Sequence, residues 1–126
     1  MAALVFDAGA LIALDRGDRA VAALATAAGR NGTDAVTSSA CIAQAWRDPP
    51  RQARLAKALA GFLELPLDPL SSRRCGLLLA AARTSDIADA ALALLVQDGD
   101  TVLTSDPHDI KRLLDVTGVT ADIRTV

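Results

Sequence analysis

A chain of 126 residues, 52% of them hydrophobic, fits one compact domain spanning 1–126 with ample material for a single buried core. Its formal net charge of -2 excludes bulk attraction to a polyanion, so contact with nucleic acid has to rest on local arginines and bound metal. Cys41 and Cys75 have neither the CxxC spacing of a zinc site nor the density of a secreted disulfide scaffold, and they read as buried thiols in a reducing cytosol.

No basic region precedes the first apolar run, Asp7 interrupts that run too early for a signal peptide, and no window reaches the ~20 uninterrupted apolar residues of a membrane span. A cytoplasmic protein with no membrane contact is expected. Charge is lopsided on both sides: Arg outnumbers Lys among the 13 basic residues, and Glu64 is the lone Glu among the 15 acids. Arginine favours bidentate contact with phosphate or carboxylate over diffuse attraction.

Strand-like apolar runs fall at about 2–6, 34–37, 62–67, 101–105 and 121–126, alternating with Ala/Leu-rich segments of helical length. That alternation calls for an α/β fold, a central parallel sheet of four or five strands covered by helices on both faces. After Asp7 a short helix is predicted over 8–14. Asp18 then caps a longer one that stops near Gly29-Arg30-Asn31-Gly32. Thr37-Ser38-Ser39 leads into a helix carrying Cys41, Ile42, Gln44, Trp46 and Arg47, ended by Asp48-Pro49-Pro50. The same Asp-Pro-Pro starts a helix over about 50–61, with Leu55 and Leu59 inward and Arg51, Arg54 and Lys57 outward. Further helices are predicted over 69–83, over 86–97, and from Pro107 to near Gly118.

The chemistry sits in the aspartates. Asp7 closes the first strand-like run, Asp106 closes the run at 101–105, and Asp86 and Asp89 open the helix between them. Each has a structural explanation. Asp7 can cap the helix after it, Asp86 and Asp89 suit the positive end of a helix dipole, and Ser105-Asp106-Pro107-His108-Asp109 reads as a cap, a proline at the first helical position and an acid at the third. Capping leaves their convergence unexplained. If the two runs are neighbouring parallel strands, all these carboxylates reach one edge of the sheet, where open α/β folds bind ligands. Crowded carboxylates raise one another's pKa, and a hard divalent cation turns the crowding into oxygen ligation.

The ordered set Val5-Phe6-Asp7-Ala8-Gly9-Ala10-Leu11-Ile12-Ala13-Leu14, Asp86-Ile87-Ala88-Asp89-Ala90 and Val102-Leu103-Thr104-Ser105-Asp106-Pro107-His108-Asp109 resembles the PIN domain, and within it the VapC-type toxins of bacterial toxin-antitoxin pairs. The resemblance implies a three-layer α/β/α sandwich and an endoribonuclease dependent on Mg²⁺ or Mn²⁺, which would activate a water for phosphodiester hydrolysis. Asp7, Asp89 and Asp106 match the family's metal-binding acids, with Asp86 as a further ligand and Asp109 nearby. The implied partners are RNA, a cognate antitoxin able to push a basic side chain into the acidic pocket, and a second copy of the chain.

One position departs from the pattern: such proteins usually carry a Glu on the helix after the second strand, and this chain has Gln44. An amide oxygen ligates weakly and brings no charge, which opens a second reading, a catalytically weakened PIN-fold module that binds antitoxin or RNA without efficient cleavage. Thr104 and Ser105 stand where a hydroxyl can orient a phosphate oxygen or simply cap the helix. Arg47 and Arg51 flank the Asp-Pro-Pro turn, positioned for RNA or antitoxin, or as a solvated face. His108 reads as a surface residue. A phosphatase or phosphoacceptor domain also places Asp after its first strand, but Asp7-Ala8-Gly9 lacks the second Asp two residues on, and neither Lys57 nor Lys111 follows a strand end.

Overall fold

The computed structural model describes residues 2–126, in which five strands form one parallel sheet in the order β3-β2-β1-β4-β5. The strands are β1 (Leu4–Phe6), β2 (Ala35–Ser38), β3 (Leu63–Leu65), β4 (Thr101–Thr104) and β5 (Asp122–Thr125). Burial explains their reading in sequence. The central β1 is buried at all three positions, and Val102 and Leu103 of β4 are fully enclosed, so both read as unbroken apolar runs. At the edges β3 is exposed throughout, and β5 alternates around the half-buried Ile123. Leu4, Val5 and Phe6 stand opposite Thr101, Val102 and Leu103, making β1 and β4 the neighbouring parallel strands that convergence of the aspartates requires.

Seven α-helices connect the strands: α1 (Ala8–Asp15), α2 (Arg19–Arg30), α3 (Ser39–Ala45), α4 (Ala53–Leu59), α5 (Pro69–Ala82), α6 (Ile87–Leu95) and α7 (Pro107–Thr117). From β1 the chain first steps outward to β2 and β3, then returns to β4 and steps outward to β5. With the same right-handed crossover in both directions, α1 to α4 cover one face and α5 to α7 the other. Within each group the helices pack together, α1 on α2, α3 and α4 and α5, α6 and α7 on one another, and α3 also packs on α6 across the two groups. The order of connection reverses between β1 and β4, which opens a crevice at their carboxyl ends.

Three helix boundaries differ from those predicted. Helix α3 ends at Ala45, so Trp46 and Arg47 lie beyond it, Trp46 having extended backbone at ψ 117. The helix predicted over 50–61 is split into a 3₁₀ turn at Pro49–Arg51 and α4, with the buried Gln52 between them. Its side-chain oxygen accepts the amides of Arg47 (2.8 Å) and Asp48 (2.9 Å), and its side-chain nitrogen donates to the carbonyl of Ala45 (2.8 Å) and to Asp15 (3.2 Å). A helical continuation would forfeit that latch between the end of α3 and α1. Helix α6 stops at Leu95, and beyond it the Asp100 carboxylate accepts Gln97 N–H and, from the residue before β1, Ala3 N–H.

Candidate metal centre

Asp7 follows the last residue of β1 and serves as N-cap of α1. One carboxylate oxygen accepts Ala10 N–H at 2.7 Å and the other accepts Ser105 N–H, from the loop after β4, at 3.2 Å. The residue is 2% exposed, so this carboxylate is locked between two strand exits. The lock depends on Gly9. A Cβ there would collide with Ser105 Oγ, lie 2.5 Å from Ser105 Cβ, and come within 3.3 Å of the Asp7 carboxylate.

Asp86 is the N-cap of α6 and accepts Asp89 N–H at 3.0 Å, which commits one of its oxygens to capping. Asp89 is different. It lies three residues into the helix, 8% exposed, and no amide is hydrogen-bonded to its carboxylate among the described residues.

Asp106 occupies the N-cap position of α7, yet its side chain makes no capping hydrogen bond. Its amide instead donates to the buried hydroxyl of Thr104 at 2.8 Å. The capping role that sequence alone offers for Asp106 is therefore unused. One carboxylate oxygen each from Asp89, Asp106 and Asp109 lie within 4.8 Å of one another.

Electrostatics mark the same group. Burial, first, then Asp86, Asp7, Asp106 and Asp109 push Asp89 from the ordinary 3.8 up to about 7. Asp106 is raised by desolvation and by Asp109 beside it, with Asp7 contributing. Desolvation also raises Asp7, partly offset by the Thr104 hydroxyl and by the amides of Ala10, Ser105 and Gly9. Asp7 thus belongs to the same field as Asp89 and Asp106, although it stands outside the tightest trio. None of the ion pairs among the described residues, Arg51–Asp48, Lys111–Asp115 and Arg124–Asp122, includes a carboxylate of the cluster.

This donor set fits a hard divalent cation. Oxygens on opposite sides of a Mg²⁺ lie about 4 Å apart, so a 4.8 Å spread closes onto an ion with small side-chain movement. The charge such an ion brings would relieve the repulsion that raises Asp89.

The remaining candidates fall unequally around the cluster. Gln44 is exposed and makes no hydrogen bond among the described residues; it lies one helical turn beyond Cys41. Cys41 is fully buried, with burial and the nearby Asp7 foremost, and Asp89 too, pushing its thiol to about 12, and Cys75 is buried as well. Thr104 is enclosed and props the Asp106 backbone, so its hydroxyl positions an acid instead of facing solvent. Ser105 and His108 are exposed. Arg47 folds its guanidinium back onto the carbonyls of Ala43 (2.6 Å) and Trp46 (2.8 Å), and Arg51 pairs with Asp48 at 3.5 Å, both largely exposed. Sequence reading set Asp109 at the margin and passed over Gly9 and Gln52. Only the Asp109 spacing, three residues after Asp106, signalled its place.

An open, doubly wound α/β sheet with a cluster of unpaired acids at its switch point is the class these features define. No family profile matches the sequence, and no curated protein matches it. In fold the chain is similar to a chain of the crystal structure of VapBC2 from Rickettsia felis bound to a DNA fragment from their promoter, with a TM-score of 0.66 and 11% identity over 98% of each chain. The fold is PIN-like: a three-layer arrangement around a five-stranded parallel sheet, as the sequence predicts.

Proposed function

We propose that this protein is a metal-dependent endoribonuclease, the toxin of a toxin-antitoxin pair, working in the cytoplasm with Mg²⁺ or Mn²⁺. The observation that carries it is the meeting of Asp89, Asp106 and Asp109 oxygens within 4.8 Å, beside Asp7 and without a compensating base, in a fold shared with a VapBC2 chain. Asp7, Asp89 and Asp106 are the proposed ligands, with Asp86 adding charge and Asp109 joining as a fourth candidate.

A bound divalent cation supplies a water of lowered pKa and neutralises charge developing on the phosphodiester oxygens. The chain's own residues do the rest. Asp7, fixed by two amides, and Asp89, fixed on a buried helix face, form the rigid side of the pocket. Asp106 and Asp109, half-buried on α7, form its solvent-facing side, and the exposed Ser105 hydroxyl stands at the rim to steer a phosphate oxygen. The exposed Arg51–Asp48 pair is worth little, so Arg51 can exchange its partner for an RNA phosphate or an antitoxin carboxylate, whereas Arg47 would have to release the α3 carbonyls first.

The likeness to a VapBC2 chain supports a cognate antitoxin as partner, whose basic side chain would enter the acid cluster. The exposed Leu70 and Leu77 on α5 suit a homodimer contact. The neutral, exposed Gln44 favours a second reading, a binding module of weakened activity. Cleavage of RNA with Mn²⁺ but not with chelator, lost in Asp106→Asn, supports the nuclease. Tight antitoxin binding with no metal-dependent cleavage supports the module, and turnover of RNA in excess chelator contradicts the proposal outright.

A further inference from the structure

We propose that a groove along α1, of about 420 Å³, receives the RNA strand flanking the scissile phosphate and that Arg16 grips a phosphate at its far end. The inference rests on the ribonuclease reading and adds a path and a positioning cation to it. Gly9, Ile12, Ala13 and Arg16 line the groove at helical spacing, a single stripe of α1, with Asp18 and Val126 beside them.

The two ends of the stripe carry the argument. At one end Gly9 abuts Ser105 and the Asp7 carboxylate, so the groove ends beside the strand exit that carries Asp7. At the other stands Arg16, exposed, its guanidinium without a hydrogen bond or ion pair among the described residues. Seven residues of helix separate them, about 10 Å. The opposite wall belongs to the same sheet edge, since Val126 N–H donates to the carbonyl of Thr104 at 2.9 Å. Asp18 forms no ion pair with Arg16 among the described residues, and one of its oxygens instead accepts Val21 N–H at 3.0 Å.

An occupant must present one anionic group at the acids' cation and another a short, flexible span away. A nucleic-acid strand does so at every nucleotide. The floor of glycine, alanine and isoleucine holds no aromatic ring, so it accepts the ribose-phosphate backbone without stacking a base, and the contact is independent of sequence.

The test is Mn²⁺-dependent cleavage of unpaired RNAs of several sequences by Arg16→Gln across a salt series. KM is expected to rise about 10-fold for every sequence with kcat unchanged, and the slope of log affinity against log salt to weaken by about 0.7, the loss of one phosphate contact. Ala13→Leu, which fills the groove without touching charge, is expected to raise KM while leaving the salt slope and Mn²⁺ affinity as in wild type. An unchanged KM and slope in Arg16→Gln, in a wild type that does cleave, overturns the groove and spares the nuclease. A variant that loses antitoxin affinity but keeps its RNA KM overturns it in favour of a protein occupant, and a wild type inert towards RNA with metal overturns both.

Discussion

Replacing Asp89 by Asn is expected to stabilise the metal-free protein while abolishing its response to metal. The Asp89 carboxyl is pushed from 3.8 to about 7, chiefly by burial and then by the surrounding acids. At about 1.4 kcal/mol per tenfold, that rise represents about 4 kcal/mol of disfavoured ionisation, and solvent access at the mouth of the cluster reduces it to about 2 kcal/mol. Above pH 7 the native state carries this cost in full. Because the folded pKa lies above the unfolded one, the native state holds the extra proton, and stability falls as pH rises from about 4 to 7. Thermal unfolding without metal at pH 8 should therefore place the variant about 8 °C above wild type, with the gap closing towards pH 4. With Mn²⁺ at a hundredfold excess over its dissociation constant, wild type should gain about 2.7 kcal/mol and the variant little. A variant less stable than wild type at pH 8 without metal would refute the account, since the carboxylate would then be a structural asset.

Two further substitutions probe the scaffold. Gly9→Ala would normally strengthen a helix by about 1 kcal/mol, but the added methyl drives into Ser105, so urea denaturation should show a loss of about 1–3 kcal/mol together with lost RNA cleavage. A stabilised variant would contradict the close approach. Gln52→Leu keeps the volume but removes every hydrogen bond of the latch between α3 and α1, and should cost about 2–4 kcal/mol by the same measurement; a neutral result would show that the end of α3 needs no such tie.

The fold was legible because burial writes plainly in the chain. Val5, Phe6, Val102 and Leu103 have to be apolar on both faces, and capping aspartates punctuate the helices between. The gathering of the acids was legible in part. Asp7, Asp89 and Asp106 emerge from strand exits and a helix start, which spacing reveals. The spacing of Asp109, three residues after Asp106, is visible too, but an acid at the third helical position is equally the dipole-favoured choice, which kept it at the margin. Gln52 was hidden for another reason. Asp48-Pro49-Pro50 is a sound helix start locally, and the side-chain hydrogen bonds of Gln52, local to Arg47 and Asp48 and long-range to Asp15, accompany the break after one turn. The exposure of Gln44 follows from the phase of α3, whose inner face is Cys41 and Ala45, and helix phase is poorly defined over seven residues.

That the carboxylates share one cation is tested most directly by anomalous diffraction from crystals soaked in Mn²⁺. The account predicts a single strong peak about 2.1–2.3 Å from oxygens of Asp89 and Asp106, with Asp109 or Asp7 completing the protein ligands. A crystal showing ordered side chains and no peak among them, at a Mn²⁺ concentration that supports RNA cleavage, would contradict it.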